Sequence, residues 1–211
     1  MNLGYVISTI IASLVLLSLI ALNSRIIRGS GEQTLYTMAK IESDMIVDYV
    51  KDDMRSMGYG IDSTAITIAE SNRIQFLVHF EGQPDQRVID WFFDDDEAFV
   101  PTGRNPNARP LYRRDVTGAA DPGFDPSEIP VQTIGSGVVR FELVYLDSRR
   151  EVIGAPGDPL SPAELEFICQ IRLEMIVESP ESYDLTRFER STWSGEMTPF
   201  NLNCSAAPLS P

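Results

Sequence analysis

Residues 3–22 form an uncharged and almost wholly apolar run, LGYVISTIIASLVLLSLIAL. A helix rises about 1.5 Å per residue, so this run matches the hydrocarbon core of a bilayer, which is roughly 30 Å thick. The chain after Ser24 is mixed in composition and rich in acidic residues, and the formal net charge of the whole chain is −14. The pattern therefore predicts an apolar N-terminal helix that carries one water-exposed domain.

The apolar run allows more than one interpretation. A secretory signal peptide has a basic segment ahead of a shorter apolar core, whereas nothing basic precedes Arg25 here and the run is longer. The remaining interpretations are a plain membrane anchor and a helix that first spans the membrane and later becomes the buried core of a filament.

A helical period continues beyond the run, which a simple anchor does not require. Apolar residues recur at spacings of three to five, at Met38, Ile41, Met45, Tyr49, Met54 and Met57, with Ile46 and Val50 beside them. We expect a kink or a melted turn at Gly29-Ser30-Gly31 and a helix end at Gly58-Tyr59-Gly60. The predicted helix reaches Met57 and is about 85 Å long.

The rest of the chain is predicted to form strands and loops. Alternating or apolar runs predict strands at 65–68, 73–80, 87–93, 138–147 and 167–177. Proline-rich loops are expected at 101–110, 121–130 and 155–162, with helical turns starting at Ser127 and Ser161. An antiparallel sheet needs a cover for its apolar face, and the second half of the helix can supply it. The predicted class is α+β, with residues 1–28 as the membrane or filament-core half of the helix, 29–60 as its amphipathic half and 61–211 as a β-rich head.

Four short motifs, taken in order, resemble the type IV pilin superfamily. They are Asp52-Asp53-Met54-Arg55 followed by Gly58-Tyr59-Gly60, the pair Arg113-Arg114, a strand that ends in Tyr145-Leu-Asp147, and Pro199-Phe200-Asn201-Leu202. The chain is similar in particular to the minor pseudopilins of type II secretion (J-type) and to large type IV minor pilins. This resemblance implies a non-enzymatic structural subunit with a pilin-like fold.

The resemblance has one departure at the start of the helix. Mature members of the family carry a glutamate as their fifth residue, whereas the fifth residue here is Tyr5. Cleavage after Gly4 would place Thr9 at that position, again without a carboxylate. The chain is thus expected to find its register in a filament without the family's charge pair.

The resemblance implies that the chain assembles through its helix with identical or related pilin-like subunits, after residing in the inner membrane, into a periplasmic or cell-surface filament. Small residues allow helices to approach closely and leucines supply packing area; the predicted assembly residues are Tyr5, Ala12, Ser13, Leu14, Leu16, Leu17, Ser18 and Ala21. Two alternatives stay open: a membrane-anchored binding module of the cell envelope, and an adhesive tip subunit outside the bulk filament.

Charge and motifs argue against nucleic-acid binding and catalysis. The net charge of −14 repels phosphate, and Arg104, Arg109, Arg113 and Arg114 are interpreted as solvated loop residues or intersubunit pairs. His79, the one histidine, is interpreted as a strand residue with a satisfied hydrogen bond. We expect no enzymatic activity, because common nucleophile, phosphate-binding and zinc motifs are missing from the sequence.

Two further clusters are open to more than one interpretation. Cys169 and Cys204 are the only cysteines; a disulfide between them would add about 4 kcal/mol and indicate an oxidising compartment, and two unpaired thiols are the alternative. Four carboxylates at Asp94, Asp95, Asp96 and Glu97 suit Ca²⁺, although a solvated acidic turn is the simpler interpretation. No other cofactor is expected.

Overall fold

The molecule consists of one long helix laid across an antiparallel sheet. The structure, a computed structural model, describes residues 3–62, 64–82, 85–93, 105–117, 131–155, 157–183 and 187–202. Helix α1 runs over Leu3–Ser56, 54 residues and about 81 Å. The α+β class is confirmed.

Helix α1 is continuous, so the predicted melted turn at Gly29-Ser30-Gly31 is wrong. No proline interrupts the backbone ladder, and the two glycines stay in helical conformation, with Gly31 lying against the ring of Tyr183. The helix does end where predicted. Gly58 and Gly60 take positive φ angles of 73° and 67°, which terminate the helix.

In the described part of the chain, seven strands form one sheet in sequence order, and all neighbours are antiparallel. The strands are β1 (Ile66–Ala69), β2 (Arg73–Val78), β3 (Arg87–Phe93), β4 (Arg109–Thr117), β5 (Gln132–Leu146), β6 (Gln170–Glu178) and β7 (Arg190–Met197). A short helix, α2 (Pro162–Leu165), follows Ser161 as predicted, and Glu164 accepts a hydrogen bond from the Ser161 amide at 2.8 Å.

The predicted strands at 65–68, 73–80, 87–93 and 167–177 correspond to β1, β2, β3 and β6, whereas β4 and β7 were not predicted. Strand β5 starts six residues before the predicted strand at 138 and includes Gly135 and Gly137. These glycines lie where α1 crosses the sheet. A Cβ atom on Gly135 would lie 2.6 Å from Ile46 Cδ1, so the close helix packing requires glycine.

The sheet curves so that the turn between β1 and β2 contacts the C-terminal end of β5. The amide of Leu143 donates to the Ser71 carbonyl at 2.7 Å, and the Tyr145 hydroxyl donates to the carbonyls of Glu70 and Arg73 at 2.9 and 3.0 Å. Burial raises the pKa of the Tyr145 hydroxyl well above its usual value. Asp147 accepts hydrogen bonds from the amides of Arg149 and Glu151 and so closes the turn after β5. The Tyr145-Leu-Asp147 motif thus has a structural role.

Candidate functional site

The first half of α1 leaves its apolar side chains exposed. Its most apolar window is long and hydrophobic enough to cross a membrane, and none of that window is buried by the rest of the described chain. All the predicted assembly residues lie on this exposed segment: Tyr5, Ala12, Ser13, Leu14, Leu16, Leu17, Ser18 and Ala21. The first half of α1 is therefore a continuous apolar surface that the described chain leaves uncovered.

Three hydroxyl groups in this segment are satisfied by their own helix. Thr9 Oγ1 donates to the Tyr5 carbonyl at 2.7 Å, Ser13 Oγ to the Thr9 carbonyl at 2.8 Å, and Ser18 Oγ to the Leu14 carbonyl at 2.8 Å. None of these side chains needs water or an external partner. The segment is therefore compatible both with lipid and with the dry interior of a helix bundle.

The second half of α1 has two apolar faces rather than one. The inner face packs against the sheet through buried Ala39, Ser43, Ile46, Val47, Val50 and Met54. Most of the predicted apolar face points away from the sheet: Met38 is 50% exposed, Ile41 63%, Met45 44% and Tyr49 50%. We call these four residues the outward stripe; on a helical wheel it lies about 140° from the inner face. The predicted apolar positions are thus divided between a buried and an exposed face of the helix.

Asp53 ties the end of the helix to the sheet. Arg113 donates to both Asp53 carboxylate oxygens, at 2.6 and 2.9 Å, and the indole Nε1 of Trp91 donates to Asp53 Oδ2 at 2.7 Å. Arg113 also pairs with Asp115, which in turn pairs with Arg87. The hydrogen bond to Asp53 raises the pKa of the Arg113 guanidinium against the opposing effect of burial.

Two more contacts hold the same edge of the helix. Glu42 accepts a hydrogen bond from the Gly137 amide of β5 at 2.9 Å, and a Cβ atom on Gly31 would lie 3.1 Å from the ring of Tyr183. Gly31, Glu42 and Asp53 follow one another at eleven-residue intervals. Eleven residues are close to three helical turns, so these helix clamps lie nearly in line along α1.

The opposite edge and the end of the helix contact β7 and the segment after it. Lys51 Nζ lies 5.1 Å from the ring centroid of Trp193, and Asn201 Nδ2 donates to the Met57 carbonyl at 3.3 Å. Phe200 beside it is 84% exposed. Together with the helix clamps, these contacts fix the rotation of α1 about its axis, and so fix the direction of the outward stripe.

Three of the four arginines interpreted as loop residues or intersubunit pairs lie on a strand. Arg109, Arg113 and Arg114 lie on β4, and Arg114 stacks 5.5 Å from the Phe92 ring centroid beside buried Asp90. The interpretation of Arg113 as a solvated or intersubunit residue is wrong, because its partners lie within the chain. Arg104 lies outside the described residues.

His79 follows β2 rather than lying within it, and its Nδ1 is buried without a hydrogen-bond partner in the described part of the chain. The predicted satisfied hydrogen bond is thus missing at that nitrogen.

The predicted disulfide and calcium site stay predictions. Cys169 is buried directly before β6, while Cys204 lies outside the described residues, as do Asp94, Asp95, Asp96 and Glu97. Among the described residues, no group of three or more His, Cys, Asp or Glu side chains is arranged to hold a metal ion.

Comparisons with protein-family models and with curated proteins give no match for this chain. No protein-family model matches it, and no curated protein is significantly similar to it in sequence. Any assignment of function therefore depends on the geometry described above. The sequence did not predict the helix clamps. Asp53 belongs to one of the four short motifs, but its partners Arg113 and Trp91 lie far along the chain, and sequence patterns do not reveal such distant contacts.

Proposed function

We propose that this chain is a non-enzymatic structural subunit of a type IV pilus-like or pseudopilus filament, which assembles through its N-terminal hydrophobic helix. One observation carries the proposal: the exposed apolar segment and the helix that covers the sheet are a single uninterrupted helix. Because the two parts share one helix, the way in which the apolar segment packs in a filament would determine where the head lies.

Assembly would be driven by transfer of the apolar segment from lipid to a helix-lined interior. Lipid tails and leucine side chains are similarly apolar, so packing and close approach, rather than the hydrophobic effect, would favour the filament. Ala12, Ser13, Ser18 and Ala21 supply the small surfaces that close approach requires. The acidic head would face water, and the subunit would move from the inner membrane to a periplasmic or cell-surface filament beside identical or related subunits.

Two substitutions test the proposal in cells that produce the chain. Leu16→Asp places a charge in the apolar segment and should abolish filaments, measured by electron microscopy and by the amount of subunit sheared from the cell surface. Ala12→Leu keeps the segment apolar but blocks close approach, so it should preserve membrane insertion and reduce the sheared fraction. Thr37→Asp, on an exposed helix position outside the segment, is the matched control.

Normal filaments from the Leu16→Asp chain would contradict the proposal. A second candidate, a membrane-anchored binding module, is favoured by an open cleft of about 460 Å³ on the head, lined by Asn107, Glu178, Arg187, Phe188, Glu189 and Arg190. That candidate predicts that the wild-type chain stays in the membrane fraction after shearing and that Ala12→Leu changes nothing.

A further inference from the structure

Strand β7 is an edge of the sheet that the described chain leaves open. At the other edge β1 is covered, because the amide of Leu160 donates to the Ala69 carbonyl at 3.0 Å. Among the described residues, the backbone of β7 pairs with no strand or loop other than β6. The far side of β7 therefore presents unpaired backbone donors and acceptors, which is the property that allows an edge to bind another strand.

The register of β7 shows which of its backbone groups face the open edge. Next to the strand, the amide of Ser179 donates to the Glu189 carbonyl at 2.8 Å. In an antiparallel ladder every second pair of residues exchanges hydrogen bonds. Counting on from this pair, the residues that bond β6 are Ser191, Trp193, Gly195 and Met197. The amides and carbonyls that point to the open edge belong to Arg190, Thr192, Ser194 and Glu196.

Strand β7 lacks the features that normally protect an open edge. Natural edge strands are protected by lysine, proline or a bulge, whereas β7 contains neither lysine nor proline and pairs with β6 in continuous register over its 8 residues. Its two charged residues are bound within the chain, Arg190 to Glu178 at 2.6 Å and Glu196 to Arg172 at 2.7 Å. The edge is therefore suited to the addition of a strand.

A groove adjoins the C-terminal end of β7 on the side of α1. Its volume is about 270 Å³, and its apolar wall includes Met54, Met197 and Phe200. Phe200 is 84% exposed, so this wall is open to a partner. The groove is large enough for one apolar side chain of an added strand.

The same groove has a basic wall, formed by Lys51 and Arg55. The ring of Trp193 lies over Gly195, where a Cβ atom would be 2.5 Å from it, and Lys51 Nζ lies 5.1 Å from the centroid of this ring. Arg55 pairs with Asp52, whereas no ion pair in the described part of the chain involves Lys51. The Lys51 ammonium thus lies level with Gly195 and is available to a carboxylate.

We propose that β7 binds an extended segment of another protein as an additional antiparallel strand, with an apolar residue opposite Met197 and an acidic residue opposite Gly195. Residues directly opposite each other in an antiparallel pair direct their side chains to the same face of the sheet. The apolar side chain therefore enters the groove, and the acidic one, two positions later, reaches Lys51. Backbone hydrogen bonds supply affinity, and the two side chains supply specificity.

A second copy of this chain does not fit the open edge. Two β7 strands paired in antiparallel fashion would be related by a twofold axis normal to the sheet. Because α1 lies on the sheet, this axis would reverse its direction, and the two apolar segments would point in opposite directions. They could not then enter the same membrane. The inference goes beyond the proposed function, because binding at β7 does not require assembly through the apolar segment.

The test uses the full chain in micelles of an uncharged detergent and capped eight-residue peptides as probes. The first peptide carries leucine, threonine and glutamate in succession within a threonine- and valine-rich sequence, and in the second glutamine replaces the glutamate. Fluorescence anisotropy at about 0.02 M salt should show the glutamate peptide binding about fivefold tighter. At about 0.5 M salt this preference should largely disappear, because the exposed charges are then screened.

Two N-methylated forms of the first peptide test strand pairing itself. In the proposed register, the amide of the threonine between leucine and glutamate points to β7, and the glutamate amide points away from it. Methylation of that threonine amide should weaken binding at least about tenfold, because it removes a backbone hydrogen bond and blocks close approach. Methylation of the glutamate amide adds the same group but should change binding less than about twofold.

Two variants of the chain test the ion pair. Lys51→Gln should abolish the preference for the glutamate peptide over the glutamine peptide. Lys40→Gln is the matched control, since it removes the same charge from an exposed position of α1 that lies outside the groove. It should leave the preference unchanged.

Four outcomes would overturn the inference. The first is no binding of the glutamate peptide at about 1 mM, and the second is equal weakening by the two N-methyl groups. The third is a glutamate preference that survives Lys51→Gln. The fourth is self-association of the chain that the peptide disrupts, which would make a second copy the occupant of the edge.

Discussion

The two halves of α1 share one backbone but differ in what stabilises them. In the second half, Ile46, Val50 and Met54 are buried against the sheet, so the head itself stabilises that part of the helix. In the first half, Leu14, Leu16 and their neighbours contact nothing beyond their own helix within the described chain. The comparison teaches that the first half must obtain its stabilisation outside the subunit, from lipid or from other helices.

The largest expected effect is on the stability of the head, when one large apolar side chain in each half of α1 is truncated to alanine. Ile46→Ala should lower the free energy of unfolding of the head by about 2 to 5 kcal/mol, because it leaves a cavity between α1 and β5. Leu16→Ala should leave that free energy unchanged. Urea unfolding of the full chain in detergent, followed by tryptophan fluorescence from Trp91 and Trp193, measures both. A similar loss in the two variants would contradict the division of the helix.

An intermediate effect is expected from two adjacent aspartates. Asp53→Ala removes the partner of Arg113 and of the Trp91 indole, both largely buried, and should cost about 2 kcal/mol of stability. Asp52→Ala removes only an exposed pair with Arg55 and should cost less than about 0.5 kcal/mol. The same unfolding measurement compares them. Equal losses would show that the Asp53 clamp does not stabilise the fold.

The smallest effect is expected at the glycines between the two halves. Gly29→Ala meets nothing within 4 Å and should stabilise the helix by up to about 1 kcal/mol. Gly31→Ala offers the same gain in helix propensity, but the ring of Tyr183 must move to make room for the Cβ atom. The net stabilisation of the helix should therefore be smaller. Hydrogen exchange of the amides of residues 26–34 reports the difference. Equal protection in the two variants would show that the Tyr183 contact is not a clamp.

The extent of α1 and five of the seven strands in the described chain could be predicted, because their patterns are local. The apolar period ends at Gly58-Tyr59-Gly60, and β2, β3 and β6 consist of apolar or alternating runs. Strand β4 escaped prediction because it contains Arg113, Arg114 and Asp115, charges that are satisfied by residues on other elements. Strand β7 escaped because its inward positions include Ser191 and Gly195, which weaken the apolar alternation.

The outward stripe could be recognised as apolar from the sequence, but not as outward. Met45 and Ile46 are both apolar and adjacent, and only the rotation of α1 decides which of them is buried. That rotation depends on Asp53 contacting Arg113, 60 residues later, and on Glu42 contacting Gly137, 95 residues later. Periodicity alone carries no information about such distant partners.

Because α1 is continuous, the number of residues between its two halves determines how the head is oriented relative to the apolar segment. Each residue inserted between positions 28 and 31 would turn the head by about 100° around the apolar segment and move it about 1.5 Å along the axis. An insertion of one residue would thus point the stripe to a different neighbour, whereas an insertion of eleven would nearly restore its direction at a greater height. The length of this stretch would therefore set which neighbour each head meets.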